Sequence, residues 1–231
     1  MKVLLLLFLM SCGSESLFSD TEEAEPNYAA ARALELDEPD KAIEIMEKAL
    51  ESEPNNYNYI SILASAKAQK AGVDLLTLVL KLAESDGSGT GSNEIELMFG
   101  ILPKPSLQAG GNIEYLGAAI THMQSIPTSN KTPADIVKLT VFYTAMSALQ
   151  TKIFDADGDG DLSTGELQNL TVAEAAAIIA NIGNAAAAIG SYVGEGNEAL
   201  AAEKIDEIQN AINAEGGGNS ADQLRNYLDN T

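Results

Sequence analysis

The sequence predicts an all-α protein, a helical repeat or bundle in which paired helices lead into one helix-loop-helix unit, and three observations carry that expectation. Apolar residues recur at three- and four-residue spacing, as in Ile136, Leu139, Phe142, Met146, Leu149 and Ile153, which lays one stripe along a helix. Helix starts are marked by a capping residue, proline and an acid in the first turn, as at Thr132-Pro133-Ala134-Asp135. No segment shows the convincing alternation of a half-buried strand. The 231 residues suffice for one or two compact domains with a real core.

Taken in chain order, residues 1–11 read as an export signal: Lys2 precedes eight consecutive apolar residues, Val3 to Met10. That run is well short of the ~18–20 residues a helix needs to span a bilayer, and it suits the core of a cleaved signal. Residues 12–26 are rich in Ser and acids and read as a tether, which at about 5–6 Å × √n holds the body some 20 Å from its anchor. Residues 27–84 hold two helix pairs: 27–36 with 39–52, joined by Asp37-Glu38, and 57–71 with 73–84, joined at Gly72. A Gly/Ser linker at 85–93 follows.

The remainder, 94–231, reads as a helical domain. It opens with a short helix at 94–102, the Pro103-Lys104-Pro105 break and a helix at 112–124, and then enters the long helix that starts at Pro133. After the loop at 155–166, an Ala-rich helix at 171–193 carries Ile178, Ile182, Ile189 and Val193 on one side. Helices at 198–214 and 221–228, separated by Gly216-Gly217-Gly218, close the chain.

The strongest chemical signal is the dodecamer D-A-D-G-D-G-D-L-S-T-G-E at 155–166. Calcium takes 6 to 8 oxygens, and a loop of this kind supplies them from positions 1, 3, 5, 7, 9 and 12. Asp155, Asp157 and Asp159 fill the first three. Asp161 gives its backbone carbonyl, Ser163 works through a water, and Glu166 closes the sphere with both oxygens. Gly160 stands where the chain must turn sharply, and Leu162 points inward to anchor the loop. Four Asp and one Glu within twelve residues repel one another without a cation, so a purely structural acidic turn is poorly served by them. Ser163 to Glu166 also forms a capping box, so ion and helix terminus compete for one carboxylate.

This constellation resembles the EF-hand, over the whole loop and both flanking helices. A partner loop is sought in vain: 86–97 has oxygen donors at its first, third and fifth positions and Gly91 at the sixth, but Leu97 where the closing Glu belongs, and it reads as linker. A single hand argues against a groove-opening sensor and for a structural or extracellular module.

Leu9-Met10-Ser11-Cys12 resembles the lipobox of bacterial lipoproteins, in which cleavage leaves Cys12 as a lipidated first residue; Met10 departs from the small residue usual there. The alternative is an ordinary signal cut nearby with Cys12 as a stray thiol. Several acyl chains make a durable anchor. The resemblance implies a bacterial cell envelope location, with Gly13 in place of the inner-membrane retention Asp and hence an outer-membrane anchor facing the periplasm or the cell exterior. As Cys12 is the single cysteine, the body has no disulfide.

Ala42, Met46, Ala49 and Pro54, within D-K-A-I-E-I-M-E-K-A-L-E-S-E-P-N-N, resemble the second helix of a tetratricopeptide repeat. Leu76, Leu80 and Ala83 repeat the set 34 residues on, and Leu63-Ala64 matches the large-small pair of the first helix. Ala29, Ala30 and Ala33 replace larger residues in the first repeat, and a generic antiparallel bundle stays open as the alternative.

A net charge of −21 repels nucleic acid and anionic head groups. No enzyme is visible: His122, the single histidine, reads as a loosely solvated side chain, and no serine has a nucleophile-elbow context. The expected function is that of a lipid-anchored calcium-binding adaptor or structural module that meets an unidentified protein partner through its helical repeat face. The alternative is a periplasmic accessory lipoprotein of a solute transporter, resembling degenerate tetratricopeptide lipoproteins, that binds a small ligand.

Overall fold

The computed structural model describes residues 25–74, 77–78, 98–160, 162–190 and 197–229. Nine α-helices and no strand occur among them, so the all-α expectation is met. They are α1 (Pro26–Glu35), α2 (Pro39–Ser52), α3 (Tyr57–Lys70), α4 (Asn112–Ser125), α5 (Pro133–Lys152), α6 (Thr164–Leu167), α7 (Val172–Ile189), α8 (Asn197–Ala214) and α9 (Ser220–Asp229). The signal, most of the tether, Cys12, the 86–97 segment and most of the helix expected at 73–84 lie outside the described residues. Of the short helix expected at 94–102, the described part, 98–102, is a run of turns.

The first three helices stand together because each carries small residues where it meets the next. Ala30 and Ala33 of α1, Ala42 and Met46 of α2, and Leu63 and Ala66 of α3 form one buried cluster. The turn between α1 and α2 needs a left-handed residue, and Asp37 takes φ 58°, a conformation that short polar side chains tolerate. From α3, Gln69 Nε2 donates to Leu34 O at 3.1 Å and to Asp37 Oδ1 at 3.0 Å, which pins that turn. The other face of α3, with Ile60, Ala64 and Ala68, joins the main core against α4. Lys70 adds a clamp there, paired with Asp40 of α2 and seated 4.3 Å above the Tyr115 ring of α4.

The centre of the main core is α5, which packs on α4 and, most extensively, on α7. Its sequence predicts one apolar stripe, yet every residue from Leu139 to Leu149 is buried. The polar members are accommodated because each hydroxyl bonds back to a carbonyl one turn earlier. Thr140 Oγ1 donates to Ile136 O at 2.9 Å, Thr144 Oγ1 to Thr140 O at 2.9 Å, Ser147 Oγ to Tyr143 O at 3.0 Å and Thr151 Oγ1 to Ser147 O at 2.8 Å. At its start Thr132 and Asp135 form a reciprocal capping box.

Helix α7 is long and apolar enough to cross a membrane by composition; one face, with Ala175, Ile178, Ile182, Ala185 and Ile189, is buried, while Val172, Ala173, Ala176, Ala177, Ala180 and Ala187 are exposed. It packs on α5, α8 and α9. Arg225 of α9 closes the end of the core by donating to Leu167 O at 3.0 Å and Leu170 O at 2.6 Å.

Candidate metal centre

The long helix delivers the loop. Thr151 O and Lys152 O accept from Phe154 N at 3.0 Å and Asp155 N at 3.3 Å, so the chain leaves α5 in a tight turn that presents Asp155. Lys152 fixes that end to the rest of the core: its ammonium donates to Phe99 O and, at 2.8 Å, to Leu102 O, and it stands 6.0 Å from the Phe99 ring. Burial pulls the Lys152 pKa below its ordinary value, against the pull of Asp155 in the opposite direction.

Within the loop, the backbone folds each early aspartate inward. Gly158 N donates to Asp155 Oδ1 at 2.7 Å, and Asp159 N to Asp157 Oδ1 at 3.2 Å. Gly158 and Gly160 take φ 76° and 93°, the left-handed region where a side chain would be strained. Carboxylate oxygens of Asp155, Asp157 and Asp159 thereby lie within 4.8 Å of one another. Such a triangle of hard oxygens suits a hard divalent cation. Asp161 lies outside the described residues, whereas Leu162 is 7 % exposed and joins the main core, as its inward orientation in the sequence implies.

On the far side of the loop Ser163 caps α6, and the cap is reciprocal. Glu166 N donates to Ser163 Oγ at 3.4 Å, while Glu166 Oε2 accepts from Ser163 N at 2.9 Å and from Ser163 Oγ at 2.8 Å. Its other oxygen, Oε1, accepts from Ala156 N at 2.8 Å, at the opposite end of the dodecamer. Donation from Ser163, backbone first and hydroxyl second, and then from Ala156, holds the Glu166 carboxyl down at about 2. The carboxylate that the sequence assigns to closing the ion's sphere is thus ionised and already clasps both ends of the loop.

The exit from the loop is shorter than an EF-hand resemblance implies. Helix α6 is 4 residues long: it ends at the Gln168 cap, and Thr171 opens a fresh capping box with Glu174 that starts α7. One turn of helix has no stability of its own. It is anchored by Leu167, 1 % exposed, and by Leu170, 2 % exposed.

Sequence reasoning missed what stands opposite the aspartates. Residues of the 99–108 segment, with Lys152 and Ile153, face Asp155 to Gly160 across a cleft of about 670 Å³. Ile153, expected on the buried stripe, is 37 % exposed at this cleft, and Leu107 is 72 % exposed. Nothing in the spacing of residues 99–108 relates them to the loop; the link is the Lys152 ammonium. His122 is half-buried in the last turn of α4 rather than loosely solvated, with burial and then the Lys67 charge lowering its pKa.

The chain matches no known family model, no curated protein and no solved structure. The chemistry of the loop therefore rests on its own residues.

Proposed function

We propose that the protein is a calcium-binding helical module of a bacterial envelope, anchored by lipid at Cys12. In this reading Asp155, Asp157 and Asp159 bind the ion from one side, and Asp161, Ser163 and Glu166 bind it from the other. The observation that carries the reading is the convergence of the three aspartates on a loop whose two glycines take left-handed φ, with the twelfth residue already joined to the second. Calcium supplies a charge that relieves the repulsion among the loop carboxylates and fixes the angle between α5 and the segment that starts α7. Helices α1 to α3, which share one cluster of small residues, are the surface through which the module meets a protein partner.

The test is calcium titration of chelator-treated protein with thermal unfolding in parallel. One binding event per chain and a rise in melting temperature at millimolar calcium are expected, both absent in Asp155→Ala. For the address, mass spectrometry of the protein from bacterial membranes should find acyl chains on Cys12, and Cys12→Ser should release it from the membrane.

A further inference from the structure

The cleft beside the loop is large enough to hold a small molecule. At about 670 Å³ it falls in the range of small-molecule pockets. One wall is apolar, made by Phe99, Pro105, Leu107 and Ile153. Leu107 and Ile153 are two of the five large apolar residues exposed among the described residues, and both stand here. The opposite wall is Asp155 to Gly160.

Charge decides what fits. In a chain of net charge −21 five described cations, Arg32, Lys41, Lys67, Lys70 and Arg225, are paired with acids, and Lys152 is held by two carbonyls. Lys104 lines the cleft, and no acidic partner holds its ammonium among the described residues. Without an ion, three aspartates across the gap repel any anion. An ion seated on Asp155, Asp157 and Asp159 offsets two of their three negative charges, which lowers the repulsion opposite an apolar surface flanked by Lys104.

We propose that this cleft binds a small organic anion with an apolar body, its acidic head between Lys104 and the loop and its body against Leu107, Pro105 and Ile153, and that calcium admits it. The inference rests on the calcium reading above and adds a ligand and its regulation. Binding of the two is reciprocal: the anion tightens calcium by the factor by which calcium tightens the anion.

The experiment uses the full chain and anilinonaphthalene sulfonate, an aromatic sulfonate that fluoresces in apolar surroundings. Its affinity is measured at saturating calcium and in chelator, and calcium heats are recorded with and without the probe. Calcium should tighten the probe by about tenfold, within the usual range of such couplings. In Lys104→Gln and Leu107→Ser, both at exposed positions, that gain should fall at least severalfold while one calcium-binding event per chain without probe is retained. A probe that only reports a loosened core would weaken on calcium addition, which overturns the proposal, as does equal affinity in both conditions or no response to either substitution. Absence of any calcium heat overturns the calcium reading and this inference together; calcium heat without a change in probe affinity overturns the inference alone.

Discussion

Two successive capping boxes, Ser163 with Glu166 and Thr171 with Glu174, are near copies in geometry and opposite in consequence. In each, the glutamate Oε2 accepts from the cap residue's backbone N at 2.9 Å, and from its hydroxyl at 2.8 Å in the first and 2.6 Å in the second. The second box opens the 18-residue α7, whereas the first opens only the 4-residue α6. What separates them is the bond from Ala156 N to Glu166 Oε1, which ties the first box across the loop. Glu174 is bound only to its cap residue among the described residues. One motif therefore serves as a helix initiator at Thr171 and as a latch across an acidic loop at Ser163, and the companion residues decide which.

The largest effect comes from removing what holds the latch in place. Because α6 is a single turn secured by buried Leu167, Leu167→Ala should destabilise the protein by about 2–4 kcal/mol in chemical denaturation and weaken calcium binding as well. Intact calcium affinity in that variant would show that the loop is independent of its exit helix. Next comes the ion: with a Kd of about 0.1 mM, 1 mM calcium should add ~1.4 kcal/mol, or about 3–6 °C in melting temperature. Asp155→Ala should lose that gain.

Sharper still is the pair of cap substitutions. Ser163→Ala and Thr171→Ala should each cost ~1 kcal/mol in calcium-free buffer, as N-cap losses do. Glu166→Gln should abolish the calcium-induced rise in melting temperature, and Glu174→Gln should leave it intact. If both glutamate variants keep the rise, the two boxes are equivalent and the latch assignment fails.

The smallest effect concerns a third box, Thr132 with Asp135, whose aspartate is buried and bridges to α3. Ser61 Oγ donates to Asp135 Oδ1 at 2.5 Å and accepts from Lys138 Nζ at 2.9 Å. Burial pushes the Asp135 carboxyl up, but the bonds from Ser61 and Thr132 and the Lys138 charge together carry it below its ordinary value. A depressed folded-state pKa contributes stability that is present above the unfolded value, near 3.8, and lost as pH falls through the folded value. Asp135→Asn should therefore flatten the stability profile below about pH 4 relative to the parent, with the rest of the acid profile unchanged.

Much of this fold is legible in the chain because local signals agree with tertiary ones. Pro26, Pro39 and Pro133 open their helices, and capping boxes mark the starts of α5, α6 and α7. The long helix departs from its sequence pattern in one respect: the spacing predicts one apolar stripe, but hydroxyls that bond one turn back allow burial on every side. The convergence of the loop aspartates is legible because they recur at alternate positions of one short segment. The opposite wall of the cleft is not, because Lys104 and Leu107 meet the loop only through the packing of Phe99 and Leu102 around Lys152, and such long-range proximity leaves no periodic trace.

In the proposed site one ion sits among Asp155, Asp157, Asp159 and Glu166. Calorimetric titration of calcium into chelator-treated parent and Glu166→Gln proteins tests it most directly. One site per chain in the parent, with affinity lost in the variant, is the predicted result; no heat in the parent, or equal affinity in both, would contradict it.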